Sequence, residues 1–172
     1  MNDVRLPIIV KIAKALNEKG VRWAVGGSVL LYLKGIDFSF NDLDLMIHEE
    51  DVLKAREALS LIGEYHPNKS KSTAKIFEEF TVDGLDVDVI SGLIITAYGK
   101  EYDCSFKNEG IEHIELEGVD IPLDSLDSWY EIYSLQGRME KARYIKDYQL
   151  YHKKKSINQI KKKAHRPCAF TL

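Results

Sequence analysis

The chain has 172 residues, of which 45% are apolar and 30% charged. That balance fits one globular domain, or one domain with a small helical appendage. No apolar run is long enough to span a membrane, and the short Leu6–Val10 patch lacks the length and cleavage signal of a secretory leader. The net charge of −3 hides an asymmetry: 11 of the 24 basic residues lie from Arg138 onward, against two acids there, so the body is acidic and the tail basic. Such a tail either packs on the body or meets a polyanion.

In chain order, Leu6, Ile9, Val10, Ala13 and Leu16 recur at helical spacing, and Gly20 stops the run. Val21–Val25 is β-branched and aromatic and predicts a short strand. Gly26-Gly27 breaks it, and Ser28 is placed to cap a short helix from Val29 to Lys34. A loop over Asp37–Asn41 leads to an alternating strand, Asp42–Ile47. Glu49-Glu50-Asp51 precedes a helix whose stripe is Val52, Ala55, Leu59 and Ile62, an acidic start that suits the helix dipole. The polar segment His66–Ser72 predicts a loop, and Lys75–Val82 and Leu85–Ile90 predict a hairpin across Asp83-Gly84. Residues 93–110 carry no clear signal. Ile111–Leu116 predicts a further strand and Val119–Pro122 closes the α/β region. Leu126–Gln136 predicts a helix ended by Gly137, and a last long helix starts near Arg138, with Tyr144, Tyr148 and Tyr151 on one face.

The chemistry concentrates in three places. Asp42 and Asp44 are one residue apart on a strand, so both carboxylates face the same side, about 7 Å apart. Two like charges on a partly buried face are costly to desolvate, and a divalent cation removes that cost. Hard oxygen donors suit magnesium. Asp86 and Asp88 form a second same-face pair on a later strand. Asp88, flanked by Val87 and Val89, is preferred as a third carboxylate over Asp86, which stands close to the turn and to solvent. Each pair alone is equally compatible with a solvated strand face. The strand–Gly26-Gly27-Ser28–helix turn offers backbone N–H groups and a hydroxyl to a phosphate. In isolation it reads as an ordinary structural turn, and its position before the carboxylates is what gives it meaning. Lys75, the lysine runs Lys153–Lys155 and Lys161–Lys163, and the isolated His48 and His113 read as solvated or structural. Cys104 and Cys168 lack metal-ligand spacing, so a reduced, cytoplasmic setting is expected.

Taken together, Trp23–Ser28, then Asn41–Leu45, then Val87–Ile90 resemble the signature of the polymerase-β-like nucleotidyltransferase superfamily across about residues 20 to 90. Residues 124–151, with the run Arg143–Asp147 after Gly137-Arg138, resemble the helical tail of its small bacterial and archaeal members. The resemblance implies an α/β (α+β) fold: a mixed β-sheet with packed helices over 1–122 and a helical extension with a basic tail over 123–172. It implies transfer of a nucleoside monophosphate from a nucleoside triphosphate to a hydroxyl acceptor, with two magnesium ions. Gly26, Gly27 and Ser28 then hold the triphosphate and Asp42, Asp44 and Asp88 the metals, with Asp88 able to take the acceptor's proton. The acceptor, whether small molecule, protein or RNA, is not legible in the sequence. An alternative is an antitoxin-like or regulatory module on the same fold that partners a helical protein; a weaker one is nucleic-acid binding through the tail. An oligomer is compatible with either.

Overall fold

The computed structural model describes residues 3–37, 39–67 and 73–164. Helix α1, Leu6–Glu18, carries Pro7 in its first turn, where a missing N–H costs nothing, and buries Ile9, Val10, Ile12, Ala13 and Leu16. Strand β1, Trp23–Val25, runs into helix α2, Gly27–Leu33. Strand β2, Asp42–Ile47, precedes a single 3-10 turn, Glu49–Asp51, and helix α3, Val52–Ser60. Strands β3 (Glu64–His66), β4 (Ala74–Val82), β5 (Leu85–Ala97), β6 (Lys100–Asp103), β7 (Glu112–Leu116) and β8 (Val119–Leu123) follow. Helices α4, Leu126–Leu135, and α5, Met139–Ala164, close the chain.

The sheet runs β3-β4-β5-β2-β1-β8-β7, with β6 pairing the far half of β5. It is mixed: β2 lies parallel to β5 and β1 to β8, while the other neighbours are antiparallel. One face carries the main core. Leu43, Leu45, Val87 and Val89 point into it and are fully buried, each worth roughly 1.5–3 kcal/mol of removed apolar surface. Glu78 shares that face, opposite Val89, and is buried against the Arg56 guanidinium of α3. Helix α3 therefore covers this side, with α1 packed beside it. Strand alternation sends Asp42, Asp44, Asp86 and Asp88 to the opposite face.

Three details depart from the sequence expectations. Ser28 does not cap a helix: α2 begins two residues earlier than expected, at Gly27, Gly26 is its N-cap, and no side chain closes that end. Residues 93–110 hold the second half of β5 and all of β6, joined by a Tyr98-Gly99 turn in which both residues have positive φ, like Asp83-Gly84. His66 ends β3 rather than opening a loop, and the rest of that segment from 68 to 72 lies outside the described residues. On α5, Ala142 and Ile145 make the packed face. Tyr144, Tyr148 and Tyr151 stand at i, i+4 and i+7 of this helix, the spacing of a single face, and they are not part of the packed one: Tyr151 is exposed, and Tyr144 donates to Glu140. From Leu150 to Gln159 every α5 side chain is exposed, so this part of the basic tail does not pack on the body.

Candidate active site

The parallel register places Asp42 beside Asp86 and Asp44 beside Asp88. Antiparallel β4 adds Thr81 next to Asp86 and Glu79 next to Asp88. Strand spacing of about 4.8 Å and a same-face repeat of about 7 Å make this a grid of carboxylates on one face. The two inner rows are not equivalent. Asp86 is exposed and accepts a hydrogen bond from the Thr81 hydroxyl at 3.1 Å, and His66 Nε2 lies 2.8 Å from that same hydroxyl. Asp44 and Asp88 lie deeper. Burial, then the charges of Asp42 and Asp88, push the Asp44 carboxyl up to about 7, against the pull of Arg138 and Lys141. Burial, then Asp42, Glu79 and Asp86, push Asp88 up to about 6.

This is the electrostatic condition in which a cation is favoured: protonation neutralises the face in acid, and a divalent ion can do so at neutral pH. The donors are all hard carboxylate oxygens, which fits magnesium. Among the described residues no group of three or more His, Cys, Asp or Glu side chains is arranged closely enough to hold a metal ion.

Gly27 is placed for a backbone that no other residue type can supply here. Its φ is +57°, and a Cβ would overlap the Asp44 carboxylate. Gly26 hydrogen-bonds through its N–H to the Asp44 carbonyl at 2.9 Å, continuing the sheet row past the end of β1. A Cβ on Gly26 would enter the Trp129 indole. That indole is held by the buried Asp124, which accepts from Trp129 Nε1 at 2.9 Å and from Ser125 N–H at 2.8 Å. The two glycines thus let α4 press on one side of the turn and Asp44 on the other.

Ser28, in the first turn of α2, faces α5. Its hydroxyl accepts from Lys141 Nζ at 2.8 Å, and Lys141 also pairs with Asp37 at 3.3 Å. Arg138 lies over the Tyr133 ring and acts electrostatically on Asp44. Sequence reasoning missed Arg138, Lys141, Tyr133, Trp129 and Asp124. One signal was available: Lys141 stands in the first turn of a helix, where the dipole disfavours a cation unless something anionic faces it. Lys75, by contrast, turns to Glu49 at 3.1 Å. His48 accepts from Glu50 N–H and His113 pairs with Asp120, both in structural roles.

On the other side of the carboxylates an open cavity of about 730 Å³ is lined by Asn41, Asp42, His66, Phe80, Asp86 and Asp88, among others. The grid therefore has a basic neighbour at the glycine turn and an acidic, roomy one toward β3 and β4.

No protein-family model matches the sequence, and no curated protein matches it either. Solved structures do. A Thermotoga maritima protein provisionally assigned as a nucleotidyltransferase superposes with a TM-score of 0.66 at 26% identity, over 85% of this chain and 92% of that one. The enzyme ANT(2″)-Ia in complex with adenylyl-2″-tobramycin superposes at 0.60 and 11% identity, over 95% of this chain and 100% of that one. The lincomycin-bound lincosamide antibiotic adenylyltransferase LnuA superposes at 0.57 and 16%, over 86% and 99%. The chain has the nucleotidyltransferase fold, and the solved structures that share it are nucleotidyltransferases, in keeping with the resemblance the sequence motifs carry.

Proposed function

We propose that the chain transfers a nucleoside monophosphate from a nucleoside triphosphate to an acceptor hydroxyl. The observation that carries this reading is the meeting of Asp44 with Gly27 and of Ser28 with Lys141, beside a face where Asp42, Asp44 and Asp88 lie in register. Residues 1–122 would be the catalytic α/β unit, with 123–172 an extension that reaches the same turn through Trp129 and Lys141. Asp42, Asp44 and Asp88 would hold magnesium ions, which when bound neutralise the phosphates and lower the acceptor hydroxyl's pKa. Gly27 lets the triphosphate approach the backbone, Ser28 donates to a phosphate oxygen, and Lys141 balances its charge. The acceptor enters from the cavity beside Asp42 and Asp88. Its oxygen bonds to the α-phosphorus, Asp88 takes the hydroxyl proton, and the bond to pyrophosphate breaks.

The structural neighbours that adenylylate antibiotics make a small hydroxylated acceptor the first class to try. Incubation of wild type and Asp44→Asn with each labelled triphosphate, magnesium and candidate acceptors tests the reading. Magnesium-dependent labelling by wild type alone supports it; no carboxylate-dependent binding or transfer with any nucleotide overturns it. A second reading, a binding module for a helical protein, rests on the exposed Leu150, Tyr151 and Ile157 of α5. It expects partner binding that Asp44→Asn leaves intact.

A further inference from the structure

Tyr133 is fully buried, yet its hydroxyl has no hydrogen-bond partner among the described residues. A buried phenol without a partner carries an uncompensated desolvation cost, and such a group asks for an explanation. Its surroundings are the proposed nucleotide site. Ser28, Asp44, Arg138 and Asp37 all act on its titration, Ser28 as a neighbouring hydrogen-bonding group whose bond is not closed in the free chain. Its ring is fixed on both sides, by the Arg138 guanidinium 4.8 Å from its centroid and by Trp129 at 5.3 Å. Tyr133 cannot turn away to find another acceptor.

In the free chain Ser28 Oγ is engaged by Lys141 Nζ, and Lys141 is shared with Asp37. A lysine ammonium held by a hydroxyl and one carboxylate goes readily to a stronger anion. Resting on the triphosphate reading above, we propose that Tyr133 is a positioning residue for the nucleotide: when a triphosphate draws Lys141 off Ser28, the Tyr133 hydroxyl donates to Ser28 Oγ and aims the Ser28 hydrogen at a phosphate oxygen. A hydroxyl has one hydrogen to give and two lone pairs to receive, so Ser28 can donate to phosphate while accepting from a neighbour that itself needs an acceptor. Tyr133 is that neighbour, and its lack of a partner in the free chain is the mark of a bond reserved for the bound state.

The test is a double-mutant cycle on the full chain. Wild type, Tyr133→Phe, Ser28→Ala and the double variant are titrated calorimetrically with the magnesium complexes of ATP, GTP, CTP and UTP, and compared on the nucleotide that wild type binds most tightly. Tyr133→Phe should weaken binding about fivefold while leaving the melting temperature of the free protein equal or higher, since it deletes an unpaired buried group. In the Ser28→Ala background the same change should have no further effect on affinity. Equal affinity for wild type and Tyr133→Phe overturns the proposal, as does an undiminished Tyr133 effect in the absence of the Ser28 hydroxyl. Failure of wild type to bind any of the four nucleotides instead overturns the nucleotide reading itself, so the two failures are told apart.

Discussion

The two flanks of Asp44 are built from different materials. Toward β4 and β5 the neighbours are Asp42, Asp88, Asp86 and Glu79, set by strand register and opening on a large cavity. Toward α2 and α5 they are Ser28 with Lys141 and Arg138, the last two brought in from more than 90 residues away in sequence by helix packing. One flank gathers negative charge along rigid strands, and the other gathers donors at the meeting of a turn and two helices. The contrast suggests a division of labour: phosphate is received where donors converge, and the acceptor where carboxylates can bind metal and accept a proton.

That division can be broken from either side. The largest effect is expected on the acidic flank. Asp88→Asn should reduce transfer on the order of 10³-fold, about 4 kcal/mol, with nucleotide affinity much less changed; a single-turnover assay beside a binding titration checks it. At the junction, Gly27→Ala forces a side chain into positive φ and into the Asp44 carboxylate, and should cost about 3 kcal/mol of stability by denaturant melting. On the basic flank, Lys141→Ala should weaken nucleotide binding by about 2 kcal/mol, some 30-fold. A matching loss of acceptor affinity would erase the distinction between the flanks.

The pH dependence of Asp44 sharpens it further. Its carboxyl is raised to about 7 in the fold, so the folded chain keeps a proton that the unfolded chain releases near pH 4. This contribution favours folding fully below about pH 4 and is lost as pH rises to about 7. Without metal, Asp44→Asn should match wild type at pH 4 and exceed it by on the order of 4 kcal/mol at pH 7. Added magnesium should narrow that gap, as followed by urea melts. The smallest effect belongs to Asp86→Asn. With its carboxylate exposed and tied to Thr81, the change should alter transfer less than tenfold, and a loss equal to that of Asp88→Asn would exchange the two roles.

The two flanks were also unequally legible in the sequence. Asp42, Asp44, Asp86 and Asp88 are readable because alternation on a strand assigns the face and Asp83-Gly84 announces the hairpin. The parallel pairing of β2 with β5, which brings the two pairs side by side, comes from tertiary packing and left no local trace. Lys141 and Arg138 were invisible as site residues for the same reason. Their approach to Ser28 depends on how α4 and α5 return over the turn, and in sequence they merge with a basic tail. The long β5 escaped because Gly92 has positive φ and interrupts the alternation midway, so residues 93–97 no longer read as the same strand. Ser28 was assigned a capping role on composition; the actual N-cap, Gly26, is chosen by the close approach of Trp129, a contact about 100 residues away.

That contact has a consequence for how the sequence can drift. Gly26 and Trp129 occupy one volume, so neither position is free on its own: any side chain at 26 requires a smaller residue at 129, and then Asp124 loses the indole N–H that helps hold its buried carboxylate. Three positions spread over a hundred residues should therefore be inherited as a set. A laboratory library that varies them independently should return almost no folded members outside the original trio, except those in which Trp129 shrinks and Asp124 becomes neutral in the same clone.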